Sequence, residues 1–540
     1  MRGMKMKVGK RIKRKIHYAL SFLLILLLVV SSSTNITFAK DTNKEDSEIS
    51  KDTPKRPFPQ HVTYTEGTIK PNHITQEEMD ATVARLYDEW KERYLKQNPY
   101  DKDQYYVFYN HNGESTTDPR EAITVSEAHG YGMLITALMA GHDPDAKKYY
   151  DGLYRYFRAH PSEINPQLMA WQQAIINDEI VDVNGVDSAL DGDMDIAYSL
   201  LLADKQWGND GEINYYKQGK LVIDAIMESE VHQKDYYLKL ADWASDNSNT
   251  YGIATRPSDF MLQHLQAFNM VSGDERWNKV IDKTYSIIND VFAEYSPNTG
   301  LLPDFLLKDL DTGKFKPAHA WFLESSRDGD YYWNSSRVPW RITTDYLVTG
   351  DDRAKAQLSK LNSWIRQTTG NNPANIKRGY KLDGTQLTNS AGDAAFSAPF
   401  TVSAMMDEAN QKWLNDLWDF NVNKETAKGA YFANNIRMLS MIIVSGNWWS
   451  PTAVSLDHMN HLLENYIANG DVNGSLTNQL TNTLKQAEHQ YVKGHQKQAI
   501  KSMEDFIKHI NNKGLQNQIT SDAKRVLINN AEALIQLWTD

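Results

Sequence analysis

Hydrophobic residues recur at intervals of three and four along most of the chain, which is the spacing of one face of an α-helix. The first clear example is rich in Glu, Arg and Lys, and its apolar positions are Met79, Val83, Leu86, Tyr87, Trp90 and Tyr94. The same spacing predicts helices over residues 127–141, 146–158, 165–177, 193–204, 214–228, 259–270, 276–292, 337–347, 352–367 and 431–444. Because few β-hairpin signals separate these segments, we expect an all-α fold.

Several long loops, rich in Gly, Asn, Asp and Pro, join the predicted helices at residues 178–190, 243–258, 294–336 and 368–396. Loops of this length are uncommon in a compact domain unless they have a function. The pattern therefore favours a helical toroid or bundle whose loops build a site.

The composition changes after residue 451, where Trp and Tyr become rare and Gln, Asn, Lys and His become common. Gly494 and Gly514 are placed as stops between short amphipathic helices. The apolar faces of these helices are Leu476, Leu480, Leu484, Ala487 and Tyr491, then Ile500, Met503, Phe506, Ile507 and Ile510, then Ala523, Val526, Leu527, Leu534 and Leu537. Residues 455–540 are therefore predicted to form an appended helical bundle.

The first 39 residues differ from the rest of the chain. They carry eight Lys and Arg residues and no acid, then a 12-residue apolar run at 19–30 and small residues at 37 and 39. This arrangement is typical of a cleaved secretory signal peptide, since a membrane-spanning helix needs ~20 apolar residues. An uncleaved anchor is the alternative. We expect a secreted, extracellular protein without stable membrane insertion, and we predict that the polar residues 40–60 form a disordered leader.

Composition excludes several kinds of chemistry. The 540 residues include no Cys, so disulfide scaffolds, thiolate catalysis and Cys-ligated metals are ruled out. The formal net charge is −11, and removal of the predicted signal peptide leaves 50 basic and 69 acidic residues, a charge of −19. Such an acidic chain is not expected to bind nucleic acid, which requires clustered Lys and Arg.

An acid lies at the start of an apolar helix in the segment Val125–Met133. Ser126 is a plausible N-cap, which places Glu127 in the first turn. The structural alternative is that Glu127 only interacts with the helix dipole. However, Gly130 and Gly132 would weaken a helix that needed only a cap, and they indicate that another group approaches this backbone closely.

Three acids at alternate positions, Asp191, Asp193 and Asp195, open a second apolar helix. Calcium loops also begin with this pattern, but here the glycine is at the second position and Leu202 stands at the twelfth, so an EF-hand is not expected. Neighbouring acids at an apolar helix start are expected to have perturbed pKa values, as catalytic carboxylates do.

Aromatic residues are concentrated before residue 451, and the chain has 14 Trp and 28 Tyr. Core packing accounts for most of them. A subset lies at loop edges beside polar residues: Trp171, Trp243, Trp321, Tyr331, Tyr332 and Trp333. Such rings suit the apolar face of a sugar. Combined with paired acids, they favour a glycoside hydrolase.

Both acidic segments resemble glycoside hydrolase family 8. Residues 189–207 (ALDGDMDIAYSLLLADKQW) are close to the family signature, and residues 126–133 (SEAHGYGM) are similar to the segment that holds its general acid. Residues 168–171, 256–260 and 337–341 also resemble family segments. The resemblance implies an (α/α)6-barrel catalytic domain over residues 61–450 and an endo-acting, inverting reaction. Residues 455–540 resemble the FIMAH domain of secreted proteins.

The resemblance also implies catalytic roles. Glu127 matches the general acid. In one branch of the family, the general base is an Asp that precedes the segment matched here by residues 337–341. This chain has Asn334 at that position, and its amide cannot titrate near neutral pH. In this respect the chain resembles the branch that includes chitosanases and mixed-linkage glucanases, whose base is a Glu in the preceding loop. We match Glu324 to that base, with Asp328 and Asp330 as nearby alternatives.

Asp191 resembles the family's acid beside the cleaved bond, and we expect it to distort and stabilise the sugar. Stacking platforms are predicted at Trp171 and Trp243. Further substrate contacts are predicted at Asp193, Asp259, Arg337 and Arg341. No metal ion or organic cofactor is required by this reading.

The substrate is inferred from the acidic net charge of the chain and from the combination of Asn334 with a loop glutamate, which resembles the branch that includes chitosanases. An acidic groove would attract chitosan, which is cationic at mildly acidic pH, so we expect a chitosanase. The alternative substrates are cellulose and mixed-linkage β-glucan, which are neutral. A non-catalytic cell-surface polysaccharide-binding protein is the alternative from another class. In either case the C-terminal bundle is expected to contact the cell wall.

Overall fold

The computed structural model describes residues 52–109, 122–426, 430–452 and 455–539. The predicted signal peptide at residues 1–39 and the first part of the predicted leader, residues 40–51, lie outside the described residues.

Twelve helices of the described residues form six consecutive pairs. Their bounds are α1 Gln76–Tyr94, α2 Ser126–Leu138, α3 Ala146–Ala159, α4 Leu190–Trp207, α5 Tyr215–Ser229, α6 Leu262–Ser272, α7 Arg276–Tyr295, α8 Val338–Thr349, α9 Lys355–Thr369, α10 Ala394–Ala404, α11 Gln411–Val422 and α12 Tyr431–Val444.

The two members of each pair differ in burial. The first member, such as α3 or α7, buries one apolar face, whereas the second member is buried on almost all sides. Each second member contacts the next, and α12 contacts α2, which closes a ring of six inner helices. The amphipathic helices cover this ring from outside. The predicted (α/α)6 barrel is therefore confirmed.

Three small antiparallel sheets add to the helical framework. They contain β1 (Leu95–Gln97) with β2 (Tyr105–Val107), then β3 (Ala122–Val125), β4 (Gln172–Ile176) and β5 (Glu179–Asp182), then β6 (Ala254–Thr255), β7 (Leu306–Lys308) and β8 (Phe315–Pro317). The helix predicted over 165–177 is wrong, because β4 pairs with a strand on each side and this pairing overrides the local apolar spacing.

Helices α2 and α4 cross at a distance that only glycine allows. A Cβ atom at Gly130 would lie 2.6 Å from the Cβ atom of Asp195, and one at Gly192 would lie 2.6 Å from Oγ of Ser126. The group that approaches Gly130 is thus a neighbouring inner helix. This crossing brings the first turns of α2 and α4, and their acids, side by side.

Residues after the barrel form four further helices, α13 (Leu456–Ala468), α14 (Gly474–Val492), α15 (Gln496–Ile510) and α16 (Ser521–Thr539). Most of the predicted apolar faces are buried among these helices, although Tyr491 and Leu537 are exposed. The predicted helical bundle is confirmed. Its helix α16 contacts α6, where Nδ2 of Asn530 donates to the carbonyl oxygen of Met270 at 3.2 Å.

Residues 52–60 differ from the predicted disordered leader. Phe58 is buried, and its N–H donates to the carbonyl oxygen of Ala140 at 2.6 Å. The N–H of Lys55 donates to the carbonyl oxygen of Gln206 at 2.8 Å. One buried aromatic side chain and these backbone bonds hold a polar segment on the barrel. Among the helices of the described residues, none combines the length and the apolarity that a bilayer crossing requires.

Candidate active site

A cleft opens at the end of the barrel where α2 and α4 begin. It has two adjoining parts of about 590 Å³ and about 370 Å³, which share Trp171, Ala189, Arg256 and Glu324 as lining residues. The cleft brings together five predicted site residues: Glu127, Asp191, Glu324, Trp171 and Trp243. A larger cavity of about 870 Å³ lies between α1 and the end of α11, and none of the predicted site residues lines it.

Glu127 lies in the first turn of α2, as predicted, but Ser126 is not the N-cap. The N-cap is Val125, the extended last residue of β3, and it makes no side-chain capping bond. The N–H of Ser126 donates instead to the carbonyl oxygen of Trp171 at 2.8 Å. Sheet pairing therefore sets the start of this helix, and it places Glu127 beside an aromatic residue of the cleft.

The side chain of Glu127 is only 17% exposed. Its Oε2 accepts a hydrogen bond from Nη1 of Arg337 at 2.7 Å, and its Oε1 accepts from the hydroxyl of Tyr431 at 3.1 Å. Burial raises the pKa of Glu127 to about 7, Arg337 opposes the rise, and the charge of Asp191 adds to it. A carboxyl group with a pKa near neutrality can carry a proton and donate it, as a general acid must.

Asp191 lies in the first turn of α4 between two arginines. Its Oδ2 is 2.7 Å from Nη1 of Arg337, and its Oδ1 is 3.0 Å from Nη2 of Arg256. Burial raises the pKa of Asp191, but the two guanidinium groups outweigh burial and hold the pKa well below its usual range. Asp191 is therefore an anion close to the carboxyl of Glu127, and its negative charge favours the protonated state of Glu127.

Glu324 lies on an exposed loop that Asp328 holds in shape. Oδ2 of Asp328 accepts from the N–H groups of Leu323 and Glu324 at 2.7 and 3.0 Å, and its Oδ1 accepts from the N–H of Ser325 at 2.8 Å. Asp328 is fully buried, whereas Glu324 is exposed and lines both parts of the cleft. Neither Asp328 nor Asp330 is among the lining residues.

Asn334 also lines the cleft, and its amide contacts Glu324 directly. Nδ2 of Asn334 donates to Oε2 of Glu324 at 2.8 Å. Buried Asp304 fixes the neighbouring backbone, since its Oδ1 accepts from the N–H and the hydroxyl of Ser335 at 2.8 and 2.7 Å. The amide of Asn334 therefore supports the carboxylate of the loop glutamate.

Four predicted substrate contacts are buried beneath the cleft instead of lining it: Asp193, Asp259, Arg337 and Arg341. The structure does not bring them to the surface of the cleft, because burial and bonds to other groups of the protein hold most of their polar atoms in the interior. Oδ1 of Asp193 accepts from the N–H of Met169 at 2.9 Å. The carboxylate of Asp259 accepts from Nε of Arg256 at 2.9 Å.

The two predicted arginines have structural partners. Arg337 is 1% exposed and joins Glu127 to Asp191 through one nitrogen. Arg341 forms a bidentate pair with Asp195, at 2.8 and 2.5 Å, at the close crossing of α2 and α4. These arginines position carboxylates, and their burial could not be read from local sequence.

A second group of acids is buried next to the cleft wall. The hydroxyl of Ser188 donates to Oε1 of Glu230 at 2.6 Å, and the N–H of Ser188 donates to Oδ1 of Asp242 at 3.0 Å. Oε2 of Glu230 and Oδ2 of Asp193 have no hydrogen-bond partner among the described residues. Burial raises the pKa of Glu230 to about 8, and burial and the charge of Glu230 raise that of Asp193 well above its usual range.

The aromatic residues of the cleft agree only in part with the prediction. Trp171 and Trp243 line it, and so does Trp333. Trp321 is 71% exposed and Tyr331 is buried, and neither is among the lining residues. Stacking platforms are therefore available in both parts of the cleft.

The cleft also contains three residues to which the local sequence assigns no role. Arg256 lies in one of the segments that resemble the family, but nothing in that segment indicates its ion pair with Asp191. Tyr431, the first residue of α12, contacts Glu127 across a separation of 304 residues in the chain. No motif in the surrounding sequence indicates this contact. Phe432 lies beside Tyr431 in the lining.

Comparisons with known proteins agree with this geometry. The sequence model described as Glycosyl hydrolases family 8 matches residues 76–446, and that of the FIMAH domain matches residues 456–536. A beta-glucanase of Niallia circulans is 54% identical over 74% of this chain and 92% of its own length. An endoglucanase of Bacillus sp. (strain KSM-330) is 42% identical over 73% of this chain and 82% of its own length.

Solved structures give the same result. The apo structure of a beta-1,3-1,4-glucanase from Paenibacillus sp.X4 has a TM-score of 0.69 at 54% identity and covers 74% of this chain and 100% of that one. Rex8A from Paenibacillus barcinonensis shares the fold, with a TM-score of 0.56 at 16% identity, over 69% of this chain and 94% of that one. The family match spans most of the barrel, and the chain is accordingly a glycoside hydrolase that belongs to glycosyl hydrolases family 8.

Proposed function

We propose that the protein is an endo-acting, inverting β-glucanase that hydrolyses mixed-linkage β-1,3-1,4-glucan. The observation that carries the proposal is the pair of glutamates on one cleft in unlike surroundings. Glu127 is largely shielded from solvent, with its pKa raised to about 7, whereas Glu324 is exposed and accepts a hydrogen bond from an amide. One acid that keeps a proton and one carboxylate that takes a proton are the groups that inverting hydrolysis needs.

In the proposed reaction, Glu127 donates its proton to the glycosidic oxygen as the bond to the anomeric carbon breaks. Glu324 removes a proton from a water molecule that attacks that carbon from the opposite face, so the configuration inverts. Asp191, held ionised by Arg256 and Arg337, stabilises the positive charge that develops on the sugar ring. Protons and charge balance without a metal ion or a cofactor.

We infer a neutral glucan as the substrate, in place of the chitosan that the sequence alone predicts. The acidic charge of the whole chain does not extend unchanged to the cleft, because Arg256 and Arg337 compensate the charge of Asp191 and Glu127 keeps a proton. The electrostatic argument for a cationic polymer is therefore weakened. The names of the relatives at 54% identity, beta-glucanase and beta-1,3-1,4-glucanase, support a mixed-linkage glucan instead.

The test is the release of reducing ends from lichenan, carboxymethylcellulose and chitosan by the full chain. We expect the highest kcat/KM on lichenan, with the α-anomer as the first product in NMR spectra. Glu127→Gln and Glu324→Gln should each lower kcat by about 10²–10⁴-fold with unchanged circular dichroism. Turnover of chitosan alone would contradict the substrate, and a β-anomer would contradict the mechanism.

We also propose that the enzyme acts outside the cell and that its C-terminal bundle contacts the cell wall. The support is the basic and apolar pattern of residues 1–39 together with the FIMAH match. N-terminal sequencing of protein from culture medium tests export, and we expect the mature chain to begin at residue 40. Co-sedimentation of the full chain with purified wall fragments tests the bundle.

A further inference from the structure

Asn334 joins the two proposed catalytic glutamates through a single arginine. Its Oδ1 accepts a hydrogen bond from Nη2 of Arg337 at 3.0 Å, and its Nδ2 donates to Oε2 of Glu324 at 2.8 Å. Nη1 of Arg337 donates in turn to Oε2 of Glu127 at 2.7 Å. The hydrogen-bonded chain Glu127–Arg337–Asn334–Glu324 therefore connects the proposed acid with the proposed base.

The chemistry of the donors fixes the direction of this chain. A guanidinium group only donates, so the oxygen of the Asn334 amide must face Arg337. The amide nitrogen then faces Glu324, and because it also only donates, Oε2 of Glu324 must accept. Among the described residues, no group hydrogen bonds to the other oxygen, Oε1 of Glu324.

We infer that Asn334 is a positioning residue that holds Oε2 of Glu324 as an acceptor and leaves Oε1 free to take the proton of the attacking water. The inference rests on the proposed function of Glu324 as the base. Asn334 is 8% exposed, and its Oδ1 and Nδ2 both form hydrogen bonds with other residues of the protein. It is therefore expected to contribute little to the binding of a sugar hydroxyl. Its loss is therefore expected to act on turnover and on the protonation of Glu324, with little effect on substrate affinity.

An isosteric change separates this role from a packing role. Asn334→Asp replaces the amide nitrogen, which donates to Oε2 of Glu324, by a carboxylate oxygen at the same position. Two carboxylates at hydrogen-bond distance share a proton. The pair of carboxylates then keeps a proton to higher pH, and the acidic limb of kcat/KM moves upward by about one pH unit or more. The kcat/KM of Asn334→Asp should therefore be about tenfold below that of wild type at pH 5 and close to it at pH 8.

The experiment compares pH profiles of kcat/KM on lichenan for wild type, Asn334→Asp and Asn334→Ala. Asn334→Ala should lower kcat by about tenfold or more while KM stays within about twofold, because Oε2 loses the donor that Asn334 supplies. Asn278→Asp makes the same charge change at an exposed position on α7 and should keep the wild-type profile. Circular dichroism checks that each variant is folded.

Two results overturn the inference: an Asn334→Asp profile that superimposes on that of wild type, or an Asn334→Ala variant whose loss lies in KM alone. Glu324→Gln in the same assay distinguishes this failure from failure of the proposed function. If Glu324→Gln is inactive and the Asn334→Asp profile equals that of wild type, Glu324 remains the proposed base and the positioning role of Asn334 is wrong. If Glu324→Gln retains wild-type kcat, the base itself is wrong.

Discussion

Glu127 and Asp191 share one nitrogen atom, since Nη1 of Arg337 lies 2.7 Å from Oε2 of the glutamate and 2.7 Å from Oδ2 of the aspartate. The aspartate has a second cation, Arg256, at 3.0 Å, whereas the second partner of the glutamate among the described residues is the neutral hydroxyl of Tyr431. This unequal sharing drives their pKa values apart, and it assigns the proton to Glu127.

The first prediction concerns the alkaline limb of activity. The pKa of Glu127 is raised to about 7, and a general acid acts only while it is protonated, so kcat/KM should fall about tenfold per pH unit above pH 7. Rates on lichenan between pH 4 and 10 measure this limb. Tyr431→Phe removes a hydrogen bond that lowers this pKa, so its limb should lie at higher pH. A limb that lies two units away from pH 7 would contradict the assignment of the proton.

The second prediction concerns Arg337. Arg337→Lys keeps one charge but loses the forked donors that reach Glu127, Asp191 and Asn334 together, so kcat should fall about 100-fold or more. Steady-state kinetics on lichenan measure the loss. Arg155→Lys, at a more exposed ion pair with Glu212, is the matched control and should be neutral. Equal activity of the two variants would mean that a point charge suffices.

The third prediction concerns stability at alkaline pH. Burial raises the pKa of Glu230 to about 8 from 4.5. Between these values the folded protein keeps a proton that the unfolded chain releases, so the free energy of unfolding decreases as pH rises. Glu230→Gln stays neutral and can still accept from Ser188. Its Tm should exceed that of wild type by about 2 °C or more at pH 8 and by less at pH 5.

Thermal unfolding at the two pH values measures this difference. Glu228→Gln changes an exposed residue in the last turn of α5, which Glu230 follows, and should leave the difference unchanged. The explanation fails if Glu230→Gln shifts Tm equally at pH 5 and pH 8.

The fourth prediction separates Asp328 from Glu324. Asp328→Asn replaces one acceptor oxygen by a donor that faces the N–H groups of the loop, so the loop loosens and kcat should fall about tenfold. The acidic limb of the pH profile should remain, because Glu324 is still present. Asp330→Asn should be close to wild type. A loss in Asp328→Asn as large as that in Glu324→Gln would make Asp328 the base.

The fifth prediction concerns stacking. Trp171 lines both parts of the cleft, so Trp171→Ala should raise KM on lichenan about fivefold to tenfold, which corresponds to about 1 kcal/mol of lost contact. Trp321 is far more exposed and lines neither part, so Trp321→Ala is the control and should leave KM unchanged. If the two variants behave alike, the cleft is not where the polymer binds.

The apolar spacing predicted ten of the twelve barrel helices, outer and inner alike. It missed the outer helix α11 (Gln411–Val422) and the inner helix α10 (Ala394–Ala404), whose residues are buried on all sides and therefore show no polar face, and which includes Pro399. Local motifs identified Glu127 and Asp191. They could not show that Asp193 and Arg341 are buried, or that Tyr431 reaches Glu127, because these relations arise from the closure of the ring.

The position of the C-terminal bundle has a consequence for how the enzyme meets its polymer. The bundle contacts the barrel at the C-terminal end of α6 and at Asn209, which follows α4, whereas Asp191 is in the first turn of α4. The 18 residues of α4 span about 27 Å. The cleft and the bundle therefore lie at opposite poles of the barrel. A molecule attached to a surface through the bundle would present its cleft outward, with unobstructed access for soluble glucan chains from the surroundings.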